Sequence, residues 1–489
     1  MVKNSLQRDF ALREDFFSNR SSAIFPIYFR SKKNDLILSW LNYWTIKNNI
    51  DENSISINVR IYTNDGILVT RKRLILEHTT NSLSVRSLLL EEQFEGMVEI
   101  EIISTENIRY SFPAIMGFYK TGSLYSCVHS AGRYKGSDEN QSESRTEETN
   151  WNCKFNNDVT PFFHYVNGSA DTELRLKIYL KTEKGMTIST AFIHDKMRAF
   201  GSKIYFIDEI IKNTKFDDSM FIGVECNNNS VFRRMVVGNY HKSLQHMEVT
   251  HSFQKQELRD YCPKNDFGAE SLLSLYSDSN LSLTARIFPT NCDGQFLVKE
   301  SSQIYNSTTL GEPKDTSLIS NGYGLIELER GVQLKVLWLY GETVPSRLNC
   351  SFSYKVKNCD SRFSTDIATG AKSSVYPPKY SHWGSGVYGN GYDFVLLVRN
   401  LNHNLDALDA KGTLSVFGLA FDFQTELELR GNSSISVLLS GLLPKDRSGV
   451  FLEREVIFTW FLKLDKPTSE TFWISFRRRD GCVLGDHGF

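Results

Sequence analysis

The chain has 489 residues, 40% hydrophobic and 23% charged, which is a globular composition on a chain too long for one core, so two to four domains are expected. Its 56 Lys+Arg against 57 Asp+Glu leave a formal charge of −1, so no global field exists to steer nucleic acid or an anionic membrane. The eight cysteines (127, 153, 226, 262, 292, 350, 359, 482) include no C-x-x-C pair, which argues against zinc ribbons and redox couples and for a reducing compartment.

From the N-terminus, "MVKNSLQRDFALREDFF" alternates charges and lacks the apolar stretch of a signal peptide, so residues 1–21 are read as an N-terminal segment and a cytoplasmic location is expected. No apolar run approaches the roughly 18 residues that span a bilayer, so no membrane insertion is expected.

The dominant period is two. In "SISINVRIYTNDGILVTRKRLILE" (54–77), Ile55, Ile57, Val59 and Ile61 fall on one face, and Ser56, Asn58 and Arg60 on the other. The "NDG" at 64–66 then predicts a tight turn into a second alternating run, a hairpin. The same plan returns at 172–194, at 281–300 and, with a longer connection, at 393–423. Only 84–93 and 207–215 suggest two or three turns of helix.

Two further matches keep order as well as type. Gly117-x-Tyr119, Ser123-Leu124 and His129-Ser130 parallel Gly238-x-Tyr240, Ser243-Leu244 and His251-Ser252. "NSLSVRSLL" (81–89) resembles "NSSISVLLSGLL" (432–443), each followed by Gly and an alternating run. Self-similarity on a scale of roughly 100–120 residues signals an internal repeat. Composition breaks then divide the chain into units at 22–132, 158–255, 272–358 (the weakest repeat) and 392–489. Between them lie an acidic polar linker or loop (133–157), a connector (256–271) and a Gly/aromatic connector (359–391). Strands with one apolar face must meet a second sheet, so the expected fold is all-β, with tandem β-sandwich units of immunoglobulin-like or jelly-roll-like type and few short helices. The cysteine–tryptophan spacing of true immunoglobulin domains is missing.

Among candidate site residues, "YSHWGSGVYGNGYDF" (380–394) interleaves Tyr380, His382, Trp383, Tyr388 and Tyr392 with glycines. Such a segment is either a ligand-binding platform for sugars or partners, or a junction packed by its aromatics. His129, His251 and His487 fall on the apolar parity of their strands, and His-x-Phe recurs at 251–253 and 487–489. They are candidate metal ligands, since neutral imidazole is a common zinc donor. A unit of this size has a radius of gyration of roughly 13 Å, so equivalent points on a linear string lie tens of Å apart. Only a closed, pseudo-symmetric arrangement would bring them to one ion; burial at strand ends with backbone bonds is the competing expectation. The basic runs "FRRM" (232–235) and "FRRRDG" (476–481) read as solvated strand-end charges that blunt sheet edges. Adjacent acids such as Glu91-Glu92 point to opposite faces of a strand and cannot form a dyad. No nucleophile elbow, P-loop, dinucleotide fingerprint or H-E-x-x-H is present. The expected function is therefore a non-catalytic binding or scaffolding protein with a protein partner or glycan and no cofactor. A hydrolase or lyase with a histidine-centred site between units, or a self-associating shell-type protein, are the alternatives.

Overall fold

The computed structural model describes residues 21–75, 78–104, 115–129, 133–134, 146–149, 153–182, 186–212, 220–226, 235–254, 269–277, 281–288, 295–304, 314–320, 324–327, 333–341, 347–359, 362–372, 379–400, 407–419, 422–443, 453–468 and 470–489. Nearly all of these are antiparallel strand. The first sandwich contains β1 (Ser21–Phe29), β2 (Asn34–Leu41), β3 (Ile55–Thr63), β4 (Leu68–Ile75), β5 (Thr80–Ser84), β6 (Phe94–Ser104), β7 (Met116–Thr121) and β8 (Leu124–His129). A short β9 (Arg133–Tyr134) adds to β1. The second contains β10 (Thr146–Thr149), β11 (Val159–Val166), β12 (Thr172–Lys181), β13 (Thr187–Met197), β14 (Ser202–Phe206), β15 (Phe221–Cys226), β16 (Val236–His241) and β17 (His246–His251), with β18 (Phe253–Gln254) on β10. The third contains β19 (Ala269–Ser277), β20 (Leu281–Phe288), β21 (Gln295–Ile304), β22 (Lys314–Ser320), β23 (Gly324–Glu327), β24 (Gln333–Gly341), β25 (Arg347–Val356) and β26 (Thr365–Lys372). The fourth contains β27 (Lys379–Tyr388), β28 (Tyr392–Asn400), β29 (Ala410–Phe417), β30 (Phe423–Leu429), β31 (Ser433–Leu438), β32 (Val456–Thr468), β33 (Glu470–Arg477) and β34 (Cys482–His487).

Numbered within its own sandwich, every set pairs its strands in the orders 4-3-6-1 and 5-2-7-8. Sequence neighbours pair only at 3-4 and 7-8; every other step crosses from one sheet to the other, a jelly-roll-like winding. This order corrects part of the hairpin expectation. Residues 54–77 and 172–194 do form hairpins, β3–β4 and β12–β13, and Gly66 at φ +76° completes the first turn. In 281–300 and 393–423 the two runs are strands two and three, which lie in different sheets: β20 pairs β23 and β25, and β28 pairs β31 and β33. Alternation fixes which side chains face inward but does not choose the partner strand.

The expected helices shrink to single turns. A 3-10 turn spans Arg86–Leu88, and α2 (Ile207–Ile210) covers only the start of its stretch, of which 213–215 lie outside the described residues. Among the described residues, the remaining short helices are α1 (Tyr43–Asn48), α3 (Leu439–Leu442) and a 3-10 turn at Glu52–Ser54. The 3-10 turn at Arg86–Leu88, α2 and α3 each follow the fifth strand of a sandwich, so the match between 81–89 and 432–443 falls on equivalent places. Residues 359–391, expected as a connector, contain β26 and β27. Gly384 and Gly386 are strand positions, and a Cβ on Gly384 would lie 2.8 Å from Trp460 Cζ2 and 2.9 Å from Trp473 Nε1, whereas Gly389 and Gly391, at φ +92° and +84°, make the turn between β27 and β28. Residues 135–145 and 150–152 of the acidic segment and 256–268 of the 256–271 connector lie outside the described residues.

Cores extend across the sandwiches. Phe25, Leu36, Trp40 and Ile57 of the first share a cluster with Phe162, Tyr240, Met247 and Val249 of the second. Trp460, Trp473, Leu396 and Leu414 of the fourth share one with Phe118, Tyr125 and Cys127 of the first. Among the described residues, no helix is long and apolar enough to cross a membrane.

Candidate functional site at the junction of the sandwiches

The eighth strand of each sandwich is the edge of its second sheet. A free edge is a liability that proteins cover or charge. Here the edges cover one another: β8 packs against β17 and β34, and β26 packs against the same two, which closes a ring of four contacts. All six residues of β17 are buried, as are five of six in β8 and in β34. Polar groups bridge the strands. The Val249 N–H donates to Ser126 Oγ at 2.7 Å, and the Cys482 thiol donates to the Tyr125 carbonyl at 3.4 Å. The Ser364 N–H donates to Glu248 Oε1 at 2.9 Å.

His129, His251 and His487 are the last residues of β8, β17 and β34, so three sandwiches each bring one imidazole to this ring. One ligand atom from each ring lies within 4.8 Å of the other two. Ring centroids are 4.5 Å apart for His129–His251 and 4.7 Å for His129–His487. His129 and His251 are 1% and 3% exposed, and the His487 side chain 19%.

The hydrogen bonds set the tautomers. His251 Nδ1 lies 2.9 Å from the Ser252 carbonyl, and His487 Nδ1 lies 3.2 Å from the Gly488 carbonyl. A carbonyl oxygen has no proton, so each Nδ1 must donate. His129 Nδ1 donates to Asp486 Oδ2 at 2.8 Å, the same oxygen that accepts the His129 backbone N–H at 3.3 Å. In all three rings Nε2 therefore carries the lone pair. Burial, reinforced by nearby His129, holds the His487 pKa well below the usual histidine range despite Asp486, so this ring stays neutral. Neutral imidazoles with Nδ1 pinned to a carboxylate or carbonyl are how proteins present histidine to a metal. A tetrahedral set at 2.0–2.1 Å places donor atoms about 3.3 Å apart, against the present spacing of within 4.8 Å.

A second polar node lies where β17 meets the segment before β26. Glu248 accepts Lys154 Nζ at 2.9 Å and sits 3.2 Å from His241 Nε2. Burial alone would raise its pKa, but Lys154 and His241 outweigh burial and hold it at about 2. Burial also drives His246, beside this node, down to about 3.

The aromatic platform expected from 380–394 does not exist as a surface. Tyr380 is 59% exposed, but His382, Trp383, Tyr388 and Tyr392 are buried. Trp383 stacks 6.1 Å from Tyr43 and packs 5.3 Å from Phe489, and Tyr392 donates to the Ser123 carbonyl at 3.0 Å. They are buried because β27 and β28 lie in the fourth sandwich and its joint with the first. Within "FRRRDG", Arg477 is likewise buried rather than solvated, held by Asp480 at 2.6 Å with its guanidinium 4.3 Å over Tyr392. Of "FRRM", 232–234 lie outside the described residues. Sequence reasoning missed Asp486, whose signal was its place beside His487, and the Lys154–Glu248–His241 node, which no spacing announces.

A solvent-open cleft of about 320 Å³ separates the first and second sandwiches, lined by Tyr28, Asn64, Glu95, Asp195, Lys203 and Phe206 among others. Two of its acids are in ion pairs, Glu95 with Arg30 and Asp195 with Lys203, the latter at 2.6 Å.

No family model and no curated protein matches the chain. Among solved structures, trypsin-activated alpha-2-macroglobulin from Escherichia coli aligns with 93% of this chain at 6% identity and a TM-score of 0.13, too low to carry an argument. The chain spans 30% of that structure's length.

Proposed function

We propose that the chain is a non-catalytic binding or scaffolding protein, built from four copies of one ancestral sandwich that are joined through the eighth-strand hub. A shared strand order and the matched residues of the seventh and eighth strands support common descent. The observation that carries the non-catalytic reading is burial. The groups best suited to chemistry, His129, His251 and Glu248, are enclosed between sandwiches and bonded there. Chemistry on a substrate needs access that 1–6% exposure does not give.

The outer edges offer the contrasting surface. β4 and β13 are the outermost strands of their sheets, and Leu68, Val69, Ile188 and Phe192 along them are exposed. Open edges with apolar side chains are suited to strand addition by a protein partner or a second copy of the chain; a glycan is the other candidate.

Histidine modification by diethyl pyrocarbonate tests the reading. In folded protein, His129 and His251 resist carbethoxylation while exposed His194 reacts. Ready modification of the two hub residues would establish an open site and favour the rival reading, a hydrolase or lyase centred on the same convergent histidines. Sedimentation at several concentrations, with a glycan array beside it, separates self-association from glycan binding.

A further inference from the structure

We propose that His129, His251 and His487 bind one divalent transition-metal ion of the zinc class, which clamps the first, second and fourth sandwiches together. The inference deepens the scaffold reading and rests on it for the role of the ion, though not for its binding.

Four observations converge. The three imidazoles come from three sandwiches, at the same place in each, the end of the eighth strand. Their ligand atoms lie within 4.8 Å of one another. Every Nδ1 is committed as a donor to Asp486, Ser252 or Gly488, so the rings are oriented with Nε2 as the coordinating atom. Asp486 also takes the backbone N–H of His129, which fixes the carboxylate as a support for the ring and not as a ligand. Three imidazole donors with no thiolate suit Zn2+, and Co2+, Ni2+ and Cu2+ as substitutes, over Mg2+ or Ca2+, which take oxygen. The third sandwich has no histidine in its corresponding strand, "TDIATGAK" (365–372), so among the described residues the cluster offers three protein ligands.

The role follows from placement. Metal ligands contributed by separate sandwiches couple their separation to ligand loss, as structural zinc couples binding to folding. The site is buried, unlike a catalytic zinc that must admit substrate.

The test is metal binding by the full chain, using Zn2+ and Co2+ as probes. After stripping with chelator and dialysis against Zn2+, one equivalent is expected by elemental analysis, and Co2+ should give the visible absorption of a tetrahedral nitrogen site. His251→Gln should lower affinity at least 100-fold. Asp486→Asn, a positioning change, should lower it about 10–100-fold. His382→Gln, a buried histidine elsewhere, should keep one equivalent with unchanged affinity. Chelator should lower the melting temperature of the wild type and not of His251→Gln. Less than a tenth of an equivalent of Zn2+ or Co2+ in protein whose circular dichroism shows it folded would overturn the proposal, as would full binding by the His251→Gln variant. Such a failure leaves histidine protection from diethyl pyrocarbonate untouched, so it is distinguishable from failure of the scaffold reading.

Discussion

Two edge strands of the second sandwich, β17 and β13, differ in fate although both alternate. β17 reads "HMEVTH", and its polar parity (His246, Glu248, Thr250) would face water in an isolated sandwich; every one of its residues is buried. β13 reads "TISTAFIHDKM", and its residues alternate between exposed and half-buried, with Phe192 66% exposed. The difference is the neighbour. β17 packs against β8 and β26 of two other sandwiches, whereas β13 packs within its own, with Ala191 and Ile193 on the core and Asp195 bonded to Lys203 and Tyr205 of β14. Polar residues on β17 are tolerated because each finds a partner: Glu248 has Lys154 and His241, and His251 has the Ser252 carbonyl.

The comparison breaks hardest at Glu248. Glu248→Ala leaves the half-buried Lys154 ammonium with only the Arg362 carbonyl and the buried Ser364 N–H without its acceptor, and the expected loss is about 3–5 kcal/mol in denaturant unfolding. A loss under about 1 kcal/mol would show that the junction is wet. Next comes pH. Burial holds His164 and His246 at about 3, against about 6.5 unfolded. The unfolded chain therefore takes up protons that the folded chain refuses, so stability falls as pH drops below about 6.5, by up to about 1.4 kcal/mol per unit for each residue. Urea melts at pH 7.5 and 5.5 should differ by roughly 3 kcal/mol from these two groups; equal midpoints would contradict their burial. Gly384→Ala should cost about 1–3 kcal/mol through overpacking against Trp460 and Trp473, read from the melting temperature. Smallest is Phe192→Ser on the exposed edge, expected within about 0.5 kcal/mol. An effect there as large as at Gly384 would mean that β13 is covered in solution, and its dependence on protein concentration would identify a second copy as the cover.

Much of the fold was legible because burying one face of a strand writes period two into the chain. Ile55, Ile57, Val59 and Ile61 announced β3, and "NDG" announced its turn. The match of Gly117 to His129 with Gly238 to His251 marked two seventh–eighth hairpins. Pairing was less legible, since β20–β21 and β28–β29 alternate like hairpins yet cross between sheets. For the site, the sequence singled out the three histidines by parity and repetition but gave no distance between them. It left Trp383 and Tyr392 open between a platform and a packed junction; both are buried, and Gly384 beside Trp383 serves as room for Trp460 and Trp473.

What this sequence determined by itself is local: strands, inward faces and turn glycines, all written in periods of a few residues. What only the tertiary structure decided is the closing of β8, β17, β26 and β34 into one ring, and with it the meeting of His129, His251 and His487. Contacts between residues more than a hundred positions apart depend on how whole sandwiches pack, and no short-range pattern in the chain encodes that distance.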